Sequence, residues 1–483
     1  MNTYQHTITK GSDTICALAT PAGGAIGVIR VSGPEAIAIT NRLFHSFSHS
    51  AFPKKGASSD SERGNLTGAK GYTVHYGKLT TLEGDDIDDV LVSIFRAPHS
   101  YTGEDSTEIS CHGSAYVLQQ ALQSLVDAGC RQAEPGEYTR RAYLNGKMDL
   151  SQAEAVADLV AATNRATHQM ALSQLRGHFS GELTQLRHQL LKMTSLLELE
   201  LDFSDHEDLE FADRTELLNL ATTIDSQILR LARSFKTGKA LKEGIAVAII
   251  GKTNVGKSTL LNRLLHEDKA IVSDIGGTTR DTIEDTMVIG GIPFRFIDTA
   301  GIRKTDDQIE RIGIDRALDK LAQAPIVIWL VDALPSLGSL QDMRKRTENK
   351  SVLLVVNKCD LPAQSKVTSQ LGKLFPAVKA CLSVSAKTGE GIKELEDALC
   401  RIAGIPAITE NDVIVTSLRH YEDLTHAHDS LSRVIEGLTH GLSADLLAED
   451  LRITLAQLAD ITGGSITPQE TLNNIFQHFC IGK

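Results

Sequence analysis

Ile245-Ala-Val-Ala-Ile-Ile-Gly251-Lys-Thr-Asn-Val-Gly-Lys-Ser258-Thr-Leu-Leu-Asn-Arg-Leu-Leu265 decides how this chain is read. The apolar, β-branched run that opens it predicts a short buried strand, and the leucines after Ser258 recur at helical spacing. The stretch between them matches GxxxxGK[ST] in the strand, loop, helix context that the pattern requires. Glycines let backbone N–H groups wrap phosphate oxygens, Lys257 offers a cation to the β and γ phosphates, and Ser258 is placed to bind Mg2+. Asn254, Val255, Gly256 and Thr259 complete the expected cradle.

Three further elements follow in the order that phosphate chemistry needs. In Gly277-Thr278-Thr279-Arg280-Asp281, preceded by Ser273, Asp274, Ile275 and Gly276, a threonine hydroxyl would complete the magnesium shell as a switch segment closes over the γ-phosphate. Asp298-Thr299-Ala300-Gly301 ends the run PFRFI, with the aspartate positioned for the outer shell of the metal and Gly301 for a backbone contact to the γ-phosphate. Asn357-Lys358-Cys359-Asp360 ends VLLVV and supplies a carboxylate that can accept hydrogen bonds from guanine N1–H and its 2-amino group. Adenine has no such donor pair, so GTP is the expected nucleotide. Ser385-Ala386-Lys387 would close over the base.

From 244 to 402, five short apolar runs alternate with helix-like stretches, which predicts a doubly wound, mostly parallel sheet. This segment resembles the translation-factor-like GTPase class throughout. Ile302 stands where Ras-like enzymes place a water-orienting glutamine, so the group that positions water must come from elsewhere. Glu310 leads, with Asp306 and Asp307 as rivals; the bland alternative is that these acids only solvate a switch helix.

The chain has 483 residues, 41% hydrophobic and 23% charged, ordinary globular composition for about three domains. A net charge of −12 argues against a surface that clings everywhere to nucleic acid or anionic lipid, though not against a local basic groove. Nine acids against one arginine between Glu198 and Glu216 account for eight of those charges, so the acidity has one main address. Seven scattered cysteines without a CxxC pair suggest a reduced, cytoplasmic setting, and neither an apolar leader nor a bilayer-length run is evident.

Residues 1–145 read as a mixed α/β unit with a polar insertion at 48–71. Helix is expected from Ser151, where Ser151-Gln-Ala-Glu154 has capping-box spacing, and again after Pro406, with Thr467-Pro468-Gln-Glu470 as a second start signal. The expected organisation is therefore multidomain α/β plus all-α. It has an N-terminal domain at 1–145, a discontinuous helical domain at 146–242 and 403–483, and an inserted P-loop domain at 243–402.

With ATPAGGAIGVIRVSG (19–33), SYTGEDSTEISCHG (100–113), PGEYTRRAYLNGKMDLSQAEAVADL (135–159), DFSDHEDLEF (202–211) and the final CIGK, the whole chain apart from the polar insertion resembles the MnmE (TrmE) family of tRNA-modification GTPases. The resemblance implies a homodimer that works with the flavoprotein MnmG (GidA); no membrane partner is expected, since no apolar run reaches bilayer length. Together they would add a carboxymethylaminomethyl-type group to C5 of the wobble uridine of certain tRNAs. It implies an N-terminal domain that binds a tetrahydrofolate derivative, 5-formyl or methylene, through Arg30, Glu108, Lys147 and Lys483. It makes Cys480 a candidate for chemistry on the uridine and Glu310 the catalytic glutamate. It also implies Mg2+ at Ser258 and Thr279, and K+ in place of an arginine finger, held by Asn254, Ser273, Ile275 and Thr278. Thr253 stands where the loop usually has proline, Ser273 where threonine is common, and Ser204-Asp-His206 interrupts the usual Phe-Pro-acid run.

Rival readings are specific. Cys480-Ile-Gly-Lys superficially suggests a prenylation box, which Gly482 and Lys483 fit poorly, or a plain unreactive thiol. Cys111-His112 suggests a metal pair without a second pair, and so packing and turn chemistry. A ribosome-assembly GTPase would need an RNA-binding appendage, and PAGGAIG and ITGGSI lack surrounding basic residues. A non-hydrolytic switch would not need Lys257, Ser258, Thr279 and Glu310 together.

Overall fold

A computed structural model describes residues 13–47, 66–202, 214–252, 254–267, 284–297, 324–361, 380–405, 412–464, 469–477 and 479–482. Ser273–Thr279, Asp298–Gly301, Glu310, Lys483, the Thr467-Pro468 start signal and most of the polar insertion and acidic run lie outside them. The chain divides into two compact units, 1–157 with 459–483, and 158–458.

The first unit is built on a seven-stranded sheet. Its strands are β1 (Ile15–Leu18), β2 (Ile26–Ser32), β3 (Phe44–Ser46), β4 (Thr73–Thr80), β5 (Asp86–Phe95), β6 (Ser106–His112) and β7 (Arg131–Gln132). Their order is β3-β4-β5-β6-β2-β1-β7, antiparallel except for the β1–β7 pair. Period-two alternation sets the core face: Val90, Val92 and Ile94 of β5 are buried while Leu91 between them is exposed. The helices Ala36–Leu43 and Ala115–Asp127 cover that face, with Ile39, Leu43, Leu118 and Leu125 in one cluster with Ile29, Val31 and Ile109. Gly27 lies directly beneath the Leu118 side chain, a contact that leaves no room for a Cβ.

In the second unit, β8 (Ile245–Ile250), β9 (Glu284–Ile289), β10 (Ile292–Ile297), β11 (Ile326–Val331), β12 (Ser351–Val356) and β13 (Ala380–Ser383) form a sheet ordered β13-β12-β11-β8-β10-β9. All pairs are parallel except β9–β10. β11 is buried along its whole length, as a strand covered on both faces must be. Five of these strands are the apolar runs of the sequence, and β9 is the sixth. It joins β10 through Gly290-Gly291 at φ 57° and 83°, the left-handed pair that a two-residue hairpin turn requires.

The long helices Arg214–Glu243 and Leu418–Thr439 bury Leu217, Ile224, Ile228 and Leu231 on one and Leu424, Leu431, Val434 and Leu438 on the other. One helix start differs from expectation. The helix Leu150–Ala161 is capped by Asp149: its carboxylate accepts from Gln152 N at 2.9 Å, while Gln152 Oε1 accepts from Asp149 N at 2.9 Å. The reciprocal box therefore sits two residues upstream of Ser151–Glu154, and Ser151 donates its hydroxyl to Asp149 at 2.7 Å.

Candidate functional site

The carboxyl edge of the second sheet gathers three of the sequence-identified loops. β8 lies between β10 and β11, the point where the strand order reverses, and there Gly251–Gly256 leads into the helix Lys257–Glu267. Asn254 and Gly256 take φ of 60° and 101°. Gly251 sits against the Leu330 carbonyl, so any side chain there would collide with backbone. Val255 anchors the loop by burying its side chain with Leu260 and Leu264 in the sheet core. Lys257 Nζ turns back along the loop and donates to the carbonyls of Gly251 at 2.6 Å and Lys252 at 3.0 Å.

Asn357 is buried and joins two loops. Its Nδ2 donates to Val255 O at 2.8 Å, and its Oδ1 accepts from Ala386 N at 3.0 Å. The phosphate loop and the Ser385–Lys387 loop are thereby held to one side chain. Arg263 adds a second tie, donating to Lys387 O at 2.6 Å. Buried Ser385 Oγ accepts from Thr388 N at 3.2 Å, which shapes the turn. Lys358, at φ 65°, pairs with Asp332 at 2.7 Å, while Asp360 is exposed. The Cys359 thiol is pushed up by burial and then by the Glu390 carboxylate, which leaves it protonated and poorly nucleophilic. Ser258 and Thr259 open the helix within the same edge.

A second constellation forms in the first unit. Arg30 and Glu108 face one another across the β2–β6 register, and the guanidinium donates to Glu108 Oε1 from Nε at 2.9 Å and Nη2 at 2.8 Å. Nη1 donates to Gly482 O at 3.2 Å, so the C-terminal segment meets the same arginine. Tyr101 and Tyr138 flank the cation at 5.5 and 5.6 Å from their ring centroids. Burial pushes both phenols up, so both remain neutral. Lys147 donates to Pro98 O at 2.8 Å, on the loop that carries Tyr101. Cys480 is exposed, two residues from Gly482, and its carbonyl accepts from Gly136 N at 3.4 Å.

The two tyrosines and the ionic network behind them were not identified from sequence. Arg141, only 9% exposed, bonds Asp13 at 2.7 Å, Glu137 at 2.9 Å and Glu104 at 3.2 Å, and Glu104 in turn accepts at 2.8 Å from Ser32, two residues after Arg30 on β2. The Glu137–Arg141 spacing was a visible signal. Cys111 and His112 serve packing and turn chemistry: the Cys111 thiol is buried and raised to about 11, and His112 is held by Asp88 at 2.7 Å. Among the described residues no cluster of His, Cys, Asp and Glu could hold a metal ion, and no helix is long and apolar enough to cross a membrane.

Residues 14–147 match the sequence family "GTP-binding protein TrmE N-terminus", and 150–480 match "MnmE helical domain". The tRNA modification GTPase MnmE of Bacteroides fragilis is 55% identical over 478 residues, covering 98% of this chain and 99% of that protein. Its counterpart from Phocaeicola vulgatus is 52% identical over 495 residues, with 98% and 99% coverage. Among solved structures, Era from Aquifex aeolicus is 26% identical over 38% of this chain and 66% of its own, at a TM-score of 0.27 that adds nothing to the strand order. With relatives matched from end to end at this identity, the chain belongs to the MnmE (TrmE) family of tRNA modification GTPases.

Proposed function

We propose that the chain is a potassium-dependent GTPase that acts as a homodimer in the cytoplasm. With the flavoprotein MnmG (GidA), it adds a carboxymethylaminomethyl-type group to C5 of the wobble uridine of certain tRNAs, from a tetrahydrofolate one-carbon unit. The observation that carries the GTPase reading is the Asn357 tie between the phosphate loop and the base loop, which makes one site of two sequence motifs.

In this reading 243–402 is the G domain, 146–242 with 403–483 the helical domain, and 1–145 the folate-binding and dimerisation domain. Lys257 exchanges its loop carbonyls for β- and γ-phosphate oxygens, Asp360 selects guanine, and Ser385–Lys387 covers the base. Thr278, Thr279 and Asp298–Gly301 close around the γ-phosphate, and Glu310 orients the attacking water. Ser258 and Thr279 would hold Mg2+, which when bound neutralises charge on the phosphate oxygens. Asn254, Ser273, Ile275 and Thr278 would hold K+. The Asn254 amide oxygen is a hard neutral donor suited to a monovalent cation, and K+ when bound supplies the charge of an arginine finger.

Arg30, Glu108, Lys147 and Lys483 would hold the folate. Both arginine bonds fall on Glu108 Oε1, which supports a role for Oε2 as acceptor for a pterin's amino-amide edge. Exposed Cys480 next to this constellation supports its role in the uridine chemistry. An apolar stripe on the outer sheet face supports the homodimer: Tyr72, Val74 and Tyr76 are 71, 62 and 52% exposed, with Leu91 opposite Tyr76.

The test compares hydrolysis of GTP and ATP in KCl and in NaCl. Hydrolysis of GTP alone, strongly faster in KCl, is expected; equal rates in the two salts would remove the potassium mechanism.

A further inference from the structure

A groove of about 560 Å3 runs between the helices Arg214–Glu243 and Leu418–Thr439 of the second unit. Its lining includes Arg233, Lys236 and Lys239 and no carboxylate. The three cations recur every third residue, so they stand on one side of the helix at a rise of ~4.5 Å from one to the next. Neighbouring cations on this helix are neutralised: Arg230 pairs with Glu182 and Lys242 with Asp158, each at 2.6 Å. Among the described residues, Arg233, Lys236 and Lys239 have no ion-pair partner. Phe235 and Tyr421 also line the groove and stack at 4.8 Å with 18° between their planes, and Tyr421 keeps 36% of its surface exposed. His428 also lines the groove, its Nδ1 held by Asp225 at 2.6 Å.

We infer that this groove binds RNA, with Arg233, Lys236 and Lys239 on consecutive phosphates and the exposed Tyr421 ring as a stacking platform for an unpaired base. The inference rests on the tRNA reading above and names where on this chain the RNA lies. In a protein of net charge −12, an uncompensated row of cations beside an exposed aromatic ring fits an anionic polymer with planar bases. A purely apolar partner would leave three cations desolvated without a counter-charge.

The test measures binding of an unmodified tRNA transcript to the full chain across a KCl series. The variants are Arg233→Ala/Lys236→Ala/Lys239→Ala, Tyr421→Ala and Tyr421→Phe. The triple variant should bind at least tenfold more weakly, and its slope of log affinity against log salt should be shallower by about 2 to 3, because each lost phosphate contact removes about 0.7 to 0.9. Tyr421→Ala should lose at least fivefold and Tyr421→Phe should bind as the parent does. GTP hydrolysis and the melting temperature should hold in all three, which separates the groove from a folding defect. Parental affinity and slope in the triple variant would overturn the inference while leaving the tRNA reading intact. A parent chain that binds no tRNA would overturn both. Unchanged tRNA binding with lost assembly with the flavoprotein would assign the groove to an acidic protein segment instead, and would also overturn it.

Discussion

Both ends of the Asn357 amide are engaged by backbone, one by a carbonyl of the phosphate loop and one by an N–H of the base loop. Asn357→Ala leaves both buried groups without a partner, at about 1–3 kcal/mol for each. Lower thermal stability and weaker GTP binding should appear together. A variant that loses stability while binding GTP as the parent does would reduce the residue to a structural brace. Cys480 offers the opposite case, since the residue is exposed. Cys480→Ser should hydrolyse GTP normally while tRNA from its host lacks the wobble modification. Fully modified nucleosides by mass spectrometry would contradict a chemical role for the thiol.

At the scale of elements, the start of Leu150–Ala161 shows why spacing alone misplaces a cap. Asp149-x-x-Gln152 and Ser151-x-x-Glu154 both have the pattern, and burial of Ser151 leaves the outer position to Asp149. Asp149→Ala should therefore lower unfolding stability by about 1 kcal/mol in a denaturant titration, and an unchanged midpoint would refute the cap. The strands β8, β10, β11 and β12 were legible because strands largely buried on both faces read as near-continuous apolar runs, and the half-buried edge strand β13 was legible from its short run CLSV. β9 was not, since this edge strand starts Glu284-Asp285 and buries only alternate residues such as Met287 and Ile289. The phosphate loop was legible because its chemistry lies within eight consecutive residues. Arg30 and Glu108, by contrast, are 78 residues apart and are joined only by the β2–β6 register, so sequence named both residues without foreseeing their ion pair.

For the whole molecule, charge sets the response to acid. As carboxylates protonate, the chain passes from −12 toward a state in which 49 Lys and Arg and 16 His face few anions, and self-repulsion opposes the compact form. Glu137 gives this loss a place in the first unit. It is 2% exposed; burial would raise its carboxyl, but the hydrogen bonds from Arg131, the Glu134 backbone and Arg141 outweigh burial and hold it below the ordinary 4.5. A depressed folded value means that its contribution is complete above 4.5 and is lost as pH falls through the lower folded value. Asp13 is lowered by the same two arginines against its own burial, and being 46% exposed it is screened and contributes less. Glu137→Gln weakens the charge-assisted bonds from Arg131 and Arg141, which keep Asp13 and Glu104 as partners, and should cost about 1–3 kcal/mol at neutral pH. With no carboxyl left to titrate there, the variant's melting temperature should also fall less steeply than the parent's from about pH 5 to pH 3. Melting curves of the two proteins that stay parallel across that range would show that the acid loss arises elsewhere.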